Sequence, residues 1–318
     1  MDLFLLSDHQ KMILETAQDF AKKEIAPKAA ELDRTGRFPK EIVDKLGEIG
    51  FMGMMVPEEF GGAGLDALSY AIAIEAVSSA CASTGVIMSV NNSLVCAPLT
   101  DYGTDEQKQK FLTPLAQGKK LGCFALSEPG NGSDAAALTT FAEKKGDYYV
   151  LNGTKNWITN GLEADTALIF TTVDKSKGSK GVAVFIVEKG TPGFTPGKVE
   201  EKLGIHASST TQLILENVKV PVSQRLGEEG MGFKIAMSTL DGGRIGIAAQ
   251  AVGIGQAALE AAKKFARERE AFGAPIAKLQ GIQWHIADMA TRMDAARLLT
   301  WRAAQKKDAG ERYTREAA

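Results

Sequence analysis

The sequence predicts an α+β chain of several domains: an N-terminal α-helical domain, a central antiparallel β domain, and a C-terminal α-helical bundle that is incomplete. Three observations carry this. Apolar residues recur at helical spacing through the first third, the spacing becomes strand-like from Leu121, and the helical period returns at Gly230. The boundaries follow as residues 1–120, 121–229 and 230–318. A length of 318 residues with 44% hydrophobic content suits more than one core.

Ser7-Asp8-His9-Gln10 has the pattern of a capping box and announces the first helix. Ile13, Ala17, Phe20, Ala21 and Ile25 follow on one face, and Pro27 is expected to stop the run. Pro39 opens a second helix with Ile42, Leu46 and Ile49 on one side and Gly50 at its end. After the Gly61-Gly62-Ala63-Gly64 loop, the nearly continuous apolar stretch from Leu68 to Leu99 reads as buried helices. Thr104-Asp105-Glu106-Gln107 caps another.

Leu121–Ser127 is an apolar strand bounded by Pro129-Gly130. Tyr148–Leu151 and Thr154–Thr159 flank Asn152-Gly153, which predicts a tight hairpin. Thr166–Val173, Gly181–Val187 and Thr211–Val220 add three β-rich runs, and strands without intervening helices predict antiparallel pairing. Beyond Gly230, Ile247, Ala251, Ile254, Ala258, Ala261 and Phe265 form one helical stripe, and Ile282, Ile286, Met289, Met293 and Ala296 form another. Two such helices are half of a four-helix arrangement.

Composition narrows the function. With 37 basic against 39 acidic residues and only paired lysines as basic clusters, no nucleic-acid footprint is expected. Cys81, Cys96 and Cys123 are scattered among apolar neighbours, which predicts free thiols, no disulfide and no metal. His9, His206 and His285 match no ligand or nucleophile pattern and read as structural or surface residues. Met1–Asp8 lacks a basic, apolar or Arg/Ser-rich leader, so a cytoplasmic setting without membrane association is expected.

Four strings stand out, in this order: Phe124-Ala125-Leu126-Ser127-Glu128-Pro129-Gly130-Asn131-Gly132-Ser133-Asp134; Asn152-Gly153-Thr154-Lys155-Asn156-Trp157-Ile158-Thr159-Asn160; Gly227–Thr239 leading into Asp241-Gly242-Gly243-Arg244; and Arg269-Glu270-Ala271-Phe272-Gly273. Within the first, Gly130-x-Gly132-x-x-Ala135 imitates a dinucleotide fingerprint. That reading requires a βαβ unit with an acidic residue some twenty positions on, and the chain offers more strand instead. In content and order the four strings resemble the acyl-CoA dehydrogenases. Met88-Ser89-Val90-Asn91-Asn92-Ser93 and Gly232–Met237 are similar to the short-chain, butyryl-CoA branch.

The resemblance implies a barrel-like β domain and FAD as cofactor, with Phe124, Ala125, Leu126, Ser127, Gly132 and Ser133 wrapping the flavin and Trp157, Ile158 and Thr159 packing on it. It implies that Ser133, Asp241, Gly242, Gly243 and Arg244 line the acyl-CoA site. Arg269, Phe272 and Gln280 then reach the FAD of a neighbouring subunit in a homotetramer. Position 206, where the family pattern carries Arg, is His206 here, which removes the basis for a role near CoA.

Thioester desaturation needs a hydride acceptor, a carboxylate base at Cα and donors on the carbonyl. In this branch the base is a Glu in a Tyr-Glu-Gly-Thr segment, expected C-terminal to Ala318, and these 318 residues contain no such segment. Some relatives hold the base at the position of Gly243, which carries no carboxylate. The implied reaction is dehydrogenation of short-chain acyl-CoA to trans-2-enoyl-CoA, with electrons passing to an electron-transferring flavoprotein. The alternatives are an acyl-CoA oxidase-like flavoprotein and a flavin-binding subunit without catalysis. The absence of Arg at Gly85, Val86 and Ile87 disfavours a dicarboxyl substrate.

Overall fold

The computed structural model describes residues 6–318. The reading of the N-terminus as free of a leader falls mostly on residues 1–5, outside the described residues. Helix α1 (Asp8–Phe20) starts as predicted: Ser7 Oγ accepts from the Gln10 amide at 3.2 Å, and Gln10 Oε1 accepts from the Ser7 amide at 3.0 Å. Pro27 does not stop it. A π-helical turn over Ala21–Ile25 widens the helix just before the proline, accommodates its ring and missing N–H, and lets the chain continue as α2 (Ala26–Thr35).

Helix α3 (Lys40–Glu48) buries Ile42 and Leu46 as expected but leaves Ile49, beyond its end, 39% exposed. The apolar stretch forms α4 (Ala67–Ala80), buried on all sides, then α5 (Ala82–Ser89), a π segment (Val90–Cys96) and α6 (Ala97–Tyr102). The Thr104–Gln107 capping box starts α7 (Asp105–Gln107), which runs through a further π turn into α8 (Thr113–Ala116).

The fully buried Asn91 and Asn92 hold the preceding loop from the π segment. Asn92 accepts from the Met54 amide at 2.8 Å and donates to the Phe51 and Met88 carbonyls at 2.9 and 3.0 Å. Asn91 donates to the Met52 carbonyl at 2.8 Å and accepts from the Gly122 amide at 2.9 Å. A buried amide is tolerated because both its ends are satisfied.

The β third comprises β1 (Gly122–Ala125), β2 (Phe141–Lys145), β3 (Tyr148–Thr159), β4 (Thr166–Thr172), β5 (Val182–Glu188), β6 (Phe194–Val199), β7 (Thr210–Pro221) and β8 (Arg225–Leu226). They form one sheet in the order β6-β7-β3-β2-β4-β5-β8, with β1 paired to β4. The pairing is antiparallel as predicted except that β1 and β2 each run parallel to β4, so the sheet is mixed. Its core gathers Cys123, Tyr149, Leu151, Ile158, Phe185 and Leu213, among others.

The predicted Asn152-Gly153 hairpin is a correction. Strand β3 runs straight through both residues because it has partners on each side, with Asn152 opposite Phe141 of β2 and Gly153 opposite Leu215 of β7. The irregularity lies in β7 instead, where Asn217 bulges with φ +55° and its amide donates to Asn152 Oδ1 at 2.8 Å. Gly153 has φ +147°, and a Cβ there would meet Thr140 Oγ1 at 2.6 Å.

Contacts divide the described chain into two compact units, one gathering the described residues through Ala30, Asp66–Val86 and Arg244–Ala318, the other Glu31–Leu65 and Ile87–Gly243. The second unit contains the sheet. In the first, α9 (Gly232–Glu268, from Arg244 onward) buries Ile245, Ala249, Val252, Leu259 and Ala266. The stripe read from the sequence points outward, with Ile247, Ile254 and Phe265 exposed by 48, 44 and 60%. After the small hairpin β9 (Glu270–Ala271) and β10 (Ala274–Pro275) comes α10 (Gln280–Asp308). Its buried Arg297 donates to Glu75 Oε1 and Gln256 Oε1, both at 2.8 Å. The Asp308 carboxylate accepts from the Ala67 and Leu68 amides at 2.6 and 3.1 Å, satisfying the N-terminus of α4.

Candidate active site

The first two motif strings meet in the sheet unit. Phe124 and Ala125 end β1, and the Phe124 ring lies 4.6 Å from that of Phe170 at a 53° tilt. Ala125 and Leu126 are buried, Ser127 is half-buried, and Gly132 and Ser133 are exposed. Gly130 and Gly132 have open space where a Cβ would be. Opposite, β3 carries Trp157–Thr159. Ile158 belongs to the core, so only its backbone is available to a ligand, whereas Thr159 is half-buried.

Trp157 is 60% exposed with φ +61°. Its geometry comes from a bulge: Lys155 pairs with Leu213 and Ile158 with Thr211, so three steps along β3 match two along β7. The extra residue breaks the alternation. Lys155 and Asn156 both turn inward, and the indole turns out. A large aromatic residue in the left-handed region costs on the order of 1–3 kcal/mol, which the surroundings must sustain.

Two residues that sequence reasoning left without a role do this. Lys155 and Glu128 form an ion pair, Nζ to Oε1 at 2.8 Å, with side chains 0 and 1% exposed. Lys155 Nζ also donates to the Leu126 carbonyl at 3.0 Å, and the Asn156 amide donates to the Ser127 carbonyl at 2.9 Å. Glu128 further accepts from the Thr139 amide (2.7 Å), Thr139 Oγ1 (2.5 Å) and the Thr140 amide (2.9 Å). Burial alone would raise the Glu128 carboxyl, but the ammonium and these donors bring it down to about 2. Burial pushes Lys155 down to about 8 against the pull of Glu128. The signal in the sequence was a lysine in the inward phase of a strand that buries Tyr149 and Leu151.

Asp241-Gly242-Gly243-Arg244 stands just before the stripe that begins at Ile247. Helix α9 starts at Gly232, so these residues lie inside it and Asp241 is not its cap. Gly242 and Gly243 are buried, and a Cβ on Gly243 would come within 2.6 Å of Leu94 Cδ2. The helix accepts this pair, at about 1 kcal/mol per glycine relative to alanine, and Gly243 lets Leu94 approach its backbone. Arg269, Phe272 and Gln280 gather in the other unit, on the β9–β10 hairpin and the start of α10, and all three are exposed or nearly so. Phe272 is 95% exposed with φ +55°.

His206 is tied at both ring nitrogens, Nδ1 2.7 Å from Asp33 Oδ1 and Nε2 2.8 Å from the Lys202 carbonyl, which suits a structural role. Cys96 and Cys123 are buried free thiols, and Cys81 is half-buried. Among the described residues no group of His, Cys, Asp and Glu could hold a metal. A cleft of about 380 Å³ in the helical unit, lined by residues including Glu75, Gln256 and Arg297, contains none of the motif residues. By length and composition α9 could cross a membrane, a test that core helices of soluble proteins also pass.

Comparison with known proteins agrees along the whole chain. Residues 7–119, 123–218 and 230–318 match the N-terminal, middle and C-terminal domains of acyl-CoA dehydrogenase. The mitochondrial short-chain specific acyl-CoA dehydrogenase of Mus musculus is 56% identical over 313 residues, 98% of this chain and 76% of the relative. The structure of butyryl-CoA dehydrogenase from Megasphaera elsdenii superimposes with a TM-score of 0.97 at 47% identity, covering 100% of this chain and 84% of the other. A chain in a structure described as the electron transferring flavoprotein of Acidaminococcus fermentans gives 0.98 at 51% identity, covering 100% and 83%. A structure of PigA with FAD and proline gives 0.94 at 31%, covering 100% and 83%. With all three domains matched and the first two motif strings meeting in one sheet, the chain belongs to the acyl-CoA dehydrogenase family and is similar to its short-chain members.

Proposed function

We propose that this chain binds FAD and serves the α,β-dehydrogenation of short-chain acyl-CoA thioesters to trans-2-enoyl-CoA, with electrons passing to an electron-transferring flavoprotein. The observation that carries the reading is Trp157, an exposed indole held in a left-handed bulge directly after Asn156, whose amide bonds the Ser127 carbonyl of the motif loop. Such a surface fits a planar ring. Bound there, FAD supplies the hydride acceptor for the substrate's Cβ.

The chain's own groups bind and orient. The indole of Trp157 covers one face of the ring. Ser127, Thr159 and the backbone around Ala125, Leu126, Gly132, Ser133 and Ile158 offer hydrogen bonds at its edge. Asp241, Gly242, Gly243 and Arg244 line the acyl-CoA arm with Ser133. Leu94, packed against Gly243, fills space that a longer acyl chain would need, which supports a short one. The exposed Arg269, Phe272 and Gln280 reach the flavin of a second copy in a homotetramer. The Cα proton has to pass to a carboxylate base, and residues 1–318 contain no Tyr-Glu-Gly-Thr segment. Buried free thiols support a reducing, cytoplasmic setting.

The test is anaerobic. The protein expressed from its full reading frame should purify yellow, bleach with butyryl-CoA and reoxidise slowly in air. Rapid peroxide release would make it an oxidase, and retained flavin that no acyl-CoA bleaches would make it a binding subunit.

A further inference from the structure

We propose that Lys155 and Glu128 are positioning residues for the flavin: their buried ion pair locks the Leu126–Ser133 loop to the bulge of β3 before any ligand arrives, fixing the angle at which Ser127, Trp157 and Thr159 meet the ring. The inference rests on the FAD reading above. It is motivated by where the bonds go. Lys155 Nζ reaches a carbonyl and a carboxylate of the loop, at Leu126 and Glu128, while the next residue's amide holds Ser127. Two consecutive residues of β3 thus pin three consecutive residues of the loop.

The loop is also closed on itself. Glu128 and Asn131 exchange backbone hydrogen bonds at 2.9 and 3.2 Å, and the Glu128 carboxylate draws in the returning chain at Thr139 and Thr140. Glu128 is therefore the point where the outgoing loop, the returning loop and β3 converge.

An ion pair is a poor choice for stability alone, since well-packed apolar residues of similar volume often serve a core as well or better. What apolar contacts do not supply is direction. The four-carbon stem and ammonium of Lys155 select one carbonyl and one carboxylate oxygen, and with them one register between the loop and the bulge. A loop ordered in advance binds its ligand without a further ordering cost.

The experiment titrates apoprotein with FAD. Failure of the unaltered protein to bind FAD overturns the cofactor reading and leaves these variants without meaning; binding with a structured visible circular-dichroism band sets the reference. Lys155→Met, Glu128→Gln and the double variant Lys155→Met/Glu128→Leu are compared well below their melting temperatures. Positioning predicts at least a ~10-fold weaker Kd and an altered flavin band in each, including the double variant whose melting temperature recovers. A folded variant with unaltered Kd and flavin band would overturn the inference. Where a variant does not fold, hydrogen exchange of the unaltered apoprotein decides. The Thr139, Thr140 and Asn156 amides should exchange at least ~100-fold more slowly than in an unstructured peptide, and loop-like rates would overturn the proposal.

Discussion

Trp157 and Phe272 invite direct comparison. Both are aromatic, both have positive φ, at +61° and +55°, and both are exposed, by 60 and 95%. Their foundations differ. Trp157 stands on a long strand that is paired with β7 on either side of the bulge and anchored to the motif loop by a buried ion pair. Phe272 occupies the first of two left-handed positions, followed by Gly273 at φ +75°, in a hairpin whose paired strands are two residues each. The backbone strain is of one kind, yet it is sustained by the fold in the first case and by very little of this chain in the second. A strained residue without local support points to a partner that repays it, here the second subunit whose flavin Phe272 is proposed to reach.

The contrast breaks most readily at Lys155. Replacing it by Met leaves Glu128 buried and charged with no cation, and the expected loss is about 3–5 kcal/mol, read from urea midpoints. The double variant with Glu128→Leu should recover most of that loss. Phe272→Ala, by contrast, should stay within about 0.5 kcal/mol of the unaltered chain.

Acid probes the same anchor. The carboxyl of Glu128 lies at about 2 when folded and at its ordinary value of 4.5 when free. The unfolded chain therefore binds more protons between those values, so this contribution is complete above about pH 4.5 and disappears as pH falls towards 2. Urea midpoints measured from pH 6 to 2.5 should fall by roughly 3 kcal/mol more in the unaltered protein than in the Lys155→Met/Glu128→Leu variant.

How much of this was legible beforehand depends on the kind of signal. The two capping boxes and the change from helical to strand period follow local rules, and they fold as read. Asn152-Gly153 also obeys a local rule, but tertiary pairing overrode it, because β2 pairs with β3 up to Asn152 and β7 pairs with it on both sides of the dipeptide. Pro27 failed for a related reason, since a π turn absorbs it. In the site, the motif strings marked both segments that meet in the β third, where the Asn156 amide donates to the Ser127 carbonyl. They did not show that Lys155 and Glu128, from separate strings, meet in the core; sequence distance conceals such a pair. Nor did periodicity tell the buried face of α9 from the exposed one, because small and apolar residues occupy both.

Gly153 tests the β3 side more gently. Alanine there meets Thr140 Oγ1 at 2.6 Å and takes up a φ of +147° that only glycine adopts easily. A loss of about 1–3 kcal/mol is expected, and the bulge at Trp157 should be disturbed with it. Near-ultraviolet circular dichroism of the indole is the readout, and an unchanged spectrum would show the bulge to be independent of Gly153.

The smallest effect is the most telling for the hairpin. A two-residue turn with both positions left-handed favours Asn or Gly at the first, and Phe272 is neither. Phe272→Gly removes the steric conflict at φ +55° and, at 95% exposure, gives up almost no packing within the chain. The isolated chain should therefore become more stable by up to about 1 kcal/mol, net of the entropy that glycine adds to the unfolded state. On the proposed assembly, in which the Phe272 ring reaches a neighbouring flavin, the same variant should bind FAD more weakly. Loss of stability in the isolated chain would mean that Phe272 serves the hairpin itself, and the difference between the two aromatic residues would then be one of degree.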